Sequence, residues 1–317
     1  MSFNKKSRIF LAGHNGMVGS SIYNYLKKKN YKNIFVISRK NLDLTDQAKT
    51  EKYIKKINPD YVIISAAKVG GIYANQTYKA NFFYQNLMIQ TNLIHASYLV
   101  GVKKLIFLGS SCIYPKFSKQ PIKEEYLLSG LLEPSNDTYA VAKIAGLKMC
   151  DAYNKQYNLN YLCLMPANLY GPNDNYDPAY SHFYPALLSK IYKAKINNKK
   201  NIVLWGNGKA KRELMYVDDV AHACEYFLKK NVKHSYINIG SGQEKSIKGF
   251  AQFLMKKLNV KLKIKFDKKK PNGTPRKILN TNLAKKYGWK SRTSLDKGFN
   301  LTYESFLKKA KKFNINQ

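Results

Sequence analysis

The 317 residues, 44% hydrophobic and 23% charged, can bury one large core or two modest ones and have a globular rather than a disordered composition. No apolar run reaches the ~18 residues of a membrane span, and MSFNKKSRIFLAG lacks the apolar core and cleavage site of a secretion signal, so no membrane contact and a cytoplasmic placement are expected. The 55 Lys+Arg against 19 Asp+Glu, a net +36, invite a nucleic-acid reading, but lysines scattered in twos and threes read as a solvated surface, and no nucleic acid is expected.

In chain order, short apolar runs at 8–12 (RIFLA), 34–38 (IFVIS), 61–65 (YVIIS), 105–108 (LIFL) and 161–165 (YLCLM) read as buried parallel strands. Helix-period patterns at 17–29, 45–57, 75–100 and 138–157 separate them. Such alternation predicts an α/β fold, a doubly wound parallel sheet of Rossmann type. Beyond Pro166 the regularity weakens: 182–194 reads as a helix, VLWGNG as a strand ending in a turn, VDDVAHACEYFLKK as a helix, YINIGSG as a strand, and 260–266 as a further strand. The expected division is a dinucleotide-binding domain over 1–171, with parts of 201–240 returning to it, and a smaller discontinuous α/β domain from 172–200 and 241–317.

Directly after the first strand, Gly13, Gly16 and Gly19 in GHNGMVG form G-x-x-G-x-x-G. The first glycine allows a tight turn, the second a close approach of backbone to pyrophosphate, and the third helix–strand packing, with the helix N-terminus facing the phosphates. Strand, glycines and helix in that order are the context a dinucleotide loop requires. The second run ends in Arg39 and Lys40 where an NAD site places a carboxylate; these cations favour a 2′-phosphate, hence NADP(H). Asp43 and Leu44 follow, beside the adenine or as an ordinary loop or helix-cap aspartate.

Tyr139 and Lys143, four apart in DTYAVAKIAG, share a helix face. An ammonium beside a phenol favours the phenolate, so Tyr139 can exchange a proton with a carbonyl or carbinol oxygen while hydride moves. Ser110, after the LIFLG strand, can hold that same oxygen. Cys112, Cys150, Cys163 and Cys224 make no C-x-x-C pair and have no metal-ligand spacing with the five histidines, so neither disulfide nor metal is expected.

The ordered motifs GHNGMVG, AAKVGGI, FLGSSCIYP, YAVAKIAG, PANLYGP, RELMYVDDVA and PNGTPRK resemble the GDP-L-fucose synthase family, 3,5-epimerase/4-reductases among the extended short-chain dehydrogenases. The resemblance spans nearly the whole chain. It implies NADPH-dependent C4 reduction of a GDP-linked 4-keto-6-deoxy sugar coupled to C3/C5 epimerisation, with Ser110, Tyr139 and Lys143 as the reductase triad and Cys112 and His182 as epimerase acid and base. Read without it, Cys112 is a buried free thiol and His182 a helix cap. It also implies Asn15, Met17, Val18, Ala66, Ala67, Lys143, Pro166, Asn168, Leu169 and His182 along the cofactor, and Ser111, Asn168, Lys190, Trp205, Arg212 and Lys277 at the nucleotide sugar. Trp205 is a stacking platform or core filler, and Lys190 and Lys277 are diphosphate cations or surface lysines. A homodimer through 75–100 and 138–157 is implied as well.

Two departures stand out. Ser189 and Lys190 replace an arginine-rich stretch, exchanging bidentate forks for a point charge. The aromatic segment YDPAYSHFY over 176–184 is a candidate for reshaping the sugar pocket toward a larger sugar such as a 4-keto-heptose. The alternatives are a reductase acting on an already epimerised GDP-4-keto-hexose or heptose, and a non-redox Rossmann module using its basic surface.

Overall fold

The computed structural model describes residues 3–177, 180–270 and 272–312. Residues 178 and 179, inside the aromatic segment, and 271, which opens PNGTPRK, lie outside the described residues. The first half alternates β1 (Arg8–Ala12), α1 (Met17–Lys28), β2 (Asn33–Phe35), α2 (Gln47–Ile57), β3 (Tyr61–Ile64), α3 (Ile72–Thr77), α4 (Lys79–Leu99), β4 (Lys104–Leu108), α5 (Asp137–Tyr157) and β5 (Tyr161–Pro166). There follow β6 (Asn168–Tyr170), α6 (Phe183–Ile196), β7 (Asn201–Trp205), β8 (Lys211–Tyr216), α7 (Val217–Leu228) and β9 (Tyr236–Ile239). The chain closes with β10 (Glu244–Ser246), α8 (Ile247–Lys257), β11 (Lys263–Asp267), β12 (Arg276–Lys277), α9 (Asn282–Lys286) and α10 (Leu295–Lys312).

Six parallel strands form the main sheet in the order β2-β1-β3-β4-β5-β9. Reversal of direction from β1 makes it doubly wound: α2, α4 and α5 pack as one layer and α1 with α7 as the other. Its central strands are apolar on both faces, with Ile63, Ile106, Phe107 and Leu164 fully buried, which explains why they read as continuous apolar runs and not as alternating ones. A second core gathers Tyr170, Tyr184, Leu188, Phe250 and Phe306. β7 joins β11 in a separate two-stranded sheet, whereas β9 returns to the edge of the first.

Two expected elements change. The run 34–38 is a strand only through Phe35, because β2 is an edge strand whose pairing with β1 stops at Phe10↔Phe35; Val36 and Ile37 pack half-buried against the core without that pairing. The helix expected over 75–100 is broken at Tyr78 (φ −114°, ψ 37°), whose ring stacks between Phe82 and Tyr180. The bend turns α3 toward the loop before α6, where the Gly71 amide donates to the Tyr180 carbonyl at 2.9 Å. The aromatic segment also mostly packs inward: Tyr176 lies 4.7 Å from Phe306, and Tyr184 lies 4.9 Å from Tyr170. Burial of large rings supplies the driving force there, leaving Tyr180 as the exposed member.

β8 ties the two cores together. It pairs with β6 and β12 in parallel and with β10 antiparallel. At its centre Glu213 is fully buried and accepts from the Gly242 amide (2.7 Å) and the Leu279 amide (2.9 Å). Burial pushes its carboxyl up, and the backbone donors oppose that shift. Glu213→Ala strands both amides and should cost ~3 kcal/mol of unfolding free energy in urea titration, by the penalty for buried unsatisfied donors. A loss under ~1 kcal/mol would show that β8 is not held by this carboxylate.

Candidate active site

The turn after β1 is shaped by its glycines. Gly13 sits at φ +89°, and a Cβ there would fall 2.7 Å from the Ala66 backbone. A Cβ on Gly19 would lie 2.0 Å from the Gly13 carbonyl oxygen. On Gly16, by contrast, a Cβ would meet nothing nearer than 3.6 Å, so that face is the open side of the cradle. Gly16 caps α1 without a side-chain hydrogen bond, and no acidic residue occupies the first turn, which leaves helix-end amides for an anion. The buried His14 Nδ1 has no partner among the described residues. These features fit a dinucleotide pyrophosphate.

At the end of the cradle Arg39 is exposed and forked onto Asp43 Oδ2 (3.1–3.3 Å), with Gln85 Oε1 at 3.2 Å. Burial works against the Asp43 charge, but hydrogen bonds from Thr45 and the Arg39 guanidinium hold its carboxyl below the ordinary value. Asp43 therefore orients Arg39, and Lys40 is exposed beside it. Met17, Val18 and Leu44 are half-buried, Asn15 is exposed, and Ala66 and Ala67 follow β3, with the Ala66 backbone against Gly13. Pro166 ends β5, and Leu169 packs against the main core. Asn168 donates to the Glu213 carbonyl at 3.1 Å, turning its amide toward β8.

Ser110, Ser111 and Cys112 follow β4, with Ser110 capping a 3-10 turn over Ser111–Ile113 through a 3.2 Å bond from the Cys112 amide. That turn packs on α5, which carries Tyr139 and Lys143. Lys143 is buried, donates from Nζ to the Leu108 carbonyl at 2.9 Å and lies 5.9 Å from the Tyr139 ring centre. Burial pushes its ammonium down to about 8. Burial and the negative charge at Cys112 push the Tyr139 phenol up, opposite to the lowering expected from an adjacent ammonium. The reason is that Lys143 is itself desolvated and turned onto a carbonyl.

The Cys112 sulfur accepts from Lys277 Nζ and from Asn136 Nδ2, each at 3.2 Å. Burial opposes ionisation, but the Lys277 ammonium and the hydrogen bonds outweigh it and hold the thiol below its ordinary value. Lys277 thus stands within hydrogen-bond reach of the thiol. Asn136, three residues before Tyr139 at the start of α5, escaped the sequence reading; its position as a helix-cap asparagine was the available signal. His182 caps α6 through its backbone only, and desolvation with the Lys277 charge pushes its imidazole down. A small cavity lined by Ser111, Cys112, Glu133, Asn136, Thr274 and Lys277 opens at this junction.

The remaining residues expected at the nucleotide spread outward. Arg212 donates to the Thr274 carbonyl at 2.6 Å and pairs in register with Lys277. Lys190 Nζ donates to the Val203 carbonyl at 2.7 Å, and Ser189 is buried beneath it. Trp205 is 48% exposed with Lys270 Nζ 5.5 Å above its ring, which rules out core filler.

A family model described as the NAD dependent epimerase/dehydratase family matches residues 9–240, more than half of the chain. The chain belongs to the NAD dependent epimerase/dehydratase family. Within it, the chain is 48% identical to a GDP-L-fucose synthase of Sinorhizobium fredii over 95% of both sequences. It is 44% identical to a GDP-L-fucose synthase of Escherichia coli over 97% of this chain and 99% of the relative. Its fold is similar, with TM-score 0.86 and 34% identity, to a solved GDP-mannoheptose C4 reductase from Campylobacter jejuni with NADP bound, covering 96% of this chain and 100% of that one.

The cation at the rim of this epimerase/dehydratase cradle gives a direct check. Arg39→Ala should weaken NADPH binding about tenfold, the worth of one charge-assisted contact, and leave NADH affinity unchanged in fluorescence titration. Equal weakening of both would assign Arg39 to shaping the loop.

Proposed function

We propose that this chain is an NADPH-dependent reductase acting at C4 of a GDP-linked 4-keto-6-deoxy sugar, coupled to epimerisation at C3 and C5. The observation that carries this reading is the junction itself: the Ser110–Cys112 turn after β4 packs on α5, which carries Tyr139 and Lys143, and Lys277 on β12 reaches the Cys112 sulfur at a small cavity there. The relatives named GDP-L-fucose synthase, and the NADP-bound heptose reductase, supply the substrate and cofactor class.

NADPH, when bound, supplies the hydride that ends on C4. The protein supplies the proton and the geometry. A phenol pushed up by burial stays protonated at neutral pH, the form a donor to the developing C4 alkoxide needs. Ser110 Oγ shares that oxygen, and Lys143 holds positive charge near it below about pH 8. A C4 ketone acidifies the C3 and C5 protons, so a Cys112 thiolate can take a proton from one face and a protonated His182 can give one to the other. Arg212, Lys190 and Trp205 would hold the GDP moiety from the second core, with the first domain over 1–171 holding the dinucleotide.

The same proposal places the protein in the cytoplasm, supported by four free cysteines. No helix among the described residues is long and apolar enough to cross a membrane. It also includes a homodimer through α4 and α5, whose Tyr84, Leu99, Val141 and Tyr157 are exposed apolar groups.

Three outcomes check the reading. Tyr139→Phe should cut NADPH oxidation with GDP-4-keto-6-deoxymannose by about 100-fold or more, the usual worth of a positioned acid, with cofactor affinity kept; near-normal turnover would refute the donor. Reduction should slow as pH rises through about 8, because the Lys143 ammonium is lost there. Incubation in D₂O without NADPH should place deuterium at C3 and C5; none at either position would leave a C4 reductase only.

A further inference from the structure

We propose that Lys277 is the residue that ionises Cys112, a positioning residue for the epimerisation. The inference deepens the proposed function and rests on it for the identity of the reaction. Its physical content is independent of any sugar. Two donors, Lys277 Nζ and Asn136 Nδ2, reach the Cys112 sulfur at 3.2 Å each, an arrangement that favours a thiolate acceptor over a thiol.

The backbone around Lys277 is fixed from both sides. The Lys277 strand pairs with β8 at Lys277↔Arg212, the Ile278 amide donates to Gln120 Oε1 at 3.1 Å, and the Leu279 amide to buried Glu213 at 2.9 Å. Neighbouring cations are already committed. Arg276 is forked onto Glu244 at 2.8–2.9 Å, and Arg212 donates to the Lys211 and Thr274 carbonyls. Among the described residues no carboxylate forms an ion pair with Lys277, so the sulfur is the anion it faces. Glu133, across the cavity, is paired instead with Lys116 at 3.2 Å.

The charged and titratable groups around the thiol act with this assignment. Lys277 comes from β12, Arg212 from β8, Glu133 from the loop before α5, Tyr139 from α5 and His182 from the start of α6. Arg212 adds a second positive charge near the sulfur, whereas Glu133 opposes it while itself neutralised by Lys116. The Lys277 charge also pushes His182 down, so a proton on His182 is readily given up. In the step this serves, the C–H bond breaks, an S–H bond forms, and the electron pair passes to the C4 oxygen as an enolate. Return of a proton from the imidazolium to the opposite face restores the ketone.

The test is alkylation of Cys112 by iodoacetamide as a function of pH, in the full chain without substrate, quantified on the Cys112 peptide by mass spectrometry. The wild-type rate should titrate with a midpoint below the ordinary ~8.5 of a free thiol. Lys277→Met should raise that midpoint by about one unit or more, slowing alkylation at pH 7 about tenfold, since the rate follows the thiolate fraction. Lys277→Arg should restore most of it. A wild-type midpoint at or above ~8.5, or a Lys277→Met titration superimposed on wild type, would overturn the assignment. In the second case, a raised KM for the nucleotide sugar would return Lys277 to the diphosphate. Asn136→Ala, which leaves β12 untouched, should shift the midpoint upward by less; no shift would remove the second donor from the account. Absence of deuterium exchange on the sugar alongside a lowered wild-type thiol would fail the proposed reaction and leave this inference standing.

Discussion

The structure depends on β8 being shared. A parallel sheet presents its ligand site beyond the carboxyl ends of its strands, and here that edge needs a wall the Rossmann half cannot make for itself. β8 supplies it by accepting β6, β10 and β12 as partners and by burying Glu213 against the Gly242 and Leu279 amides just outside β10 and β12. The cost of a desolvated carboxylate is offset by backbone donors that have no other acceptor. Through that pairing an ammonium carried by a two-residue strand near the C-terminus reaches a thiol more than a hundred residues earlier.

This arrangement explains the division of labour between the two lysines of the site. Lys143 is fully desolvated, bonded to the Leu108 carbonyl and pushed down to about 8. Lys277 is half-buried and paired with sulfur. In the proposed reaction the two charges serve different atoms of one ketone: one the C4 oxygen through Tyr139, the other the carbon-bound protons through Cys112. Cations of different solvation, one buried behind Tyr139 and one at the thiol, would let a single site run proton transfer to oxygen and proton transfer from carbon.

Much of this was legible in the chain. Continuous apolar runs such as YVII and KLIFL announced strands buried on both faces, and Gly13, Gly16 and Gly19 announced the cradle, because both signals are local. Tyr139 and Lys143 were readable for the same reason, four residues apart on one helix. What escaped was non-local. No pattern in 75–100 marks Tyr78 as a break, because its backbone is set by stacking on Tyr180 about a hundred positions away. The aromatic run over 176–184 looked like pocket lining, but most of its described rings fill the second core, a distinction that composition cannot draw. Lys277 read as a diphosphate cation or a surface lysine, and Asn136 drew no reading, until β12 and α5 set them against one sulfur.

The central claim is that one ketone carbon faces reduced nicotinamide while Tyr139 protonates the oxygen attached to it. A single turnover with NADPH carrying deuterium at the reactive ring carbon, followed by NMR of the released sugar, tests this most directly. The account predicts one deuterium, bonded to C4, with a single configuration at that carbon. Label at any other carbon, or an oxidised dinucleotide with no label in the sugar, would contradict it.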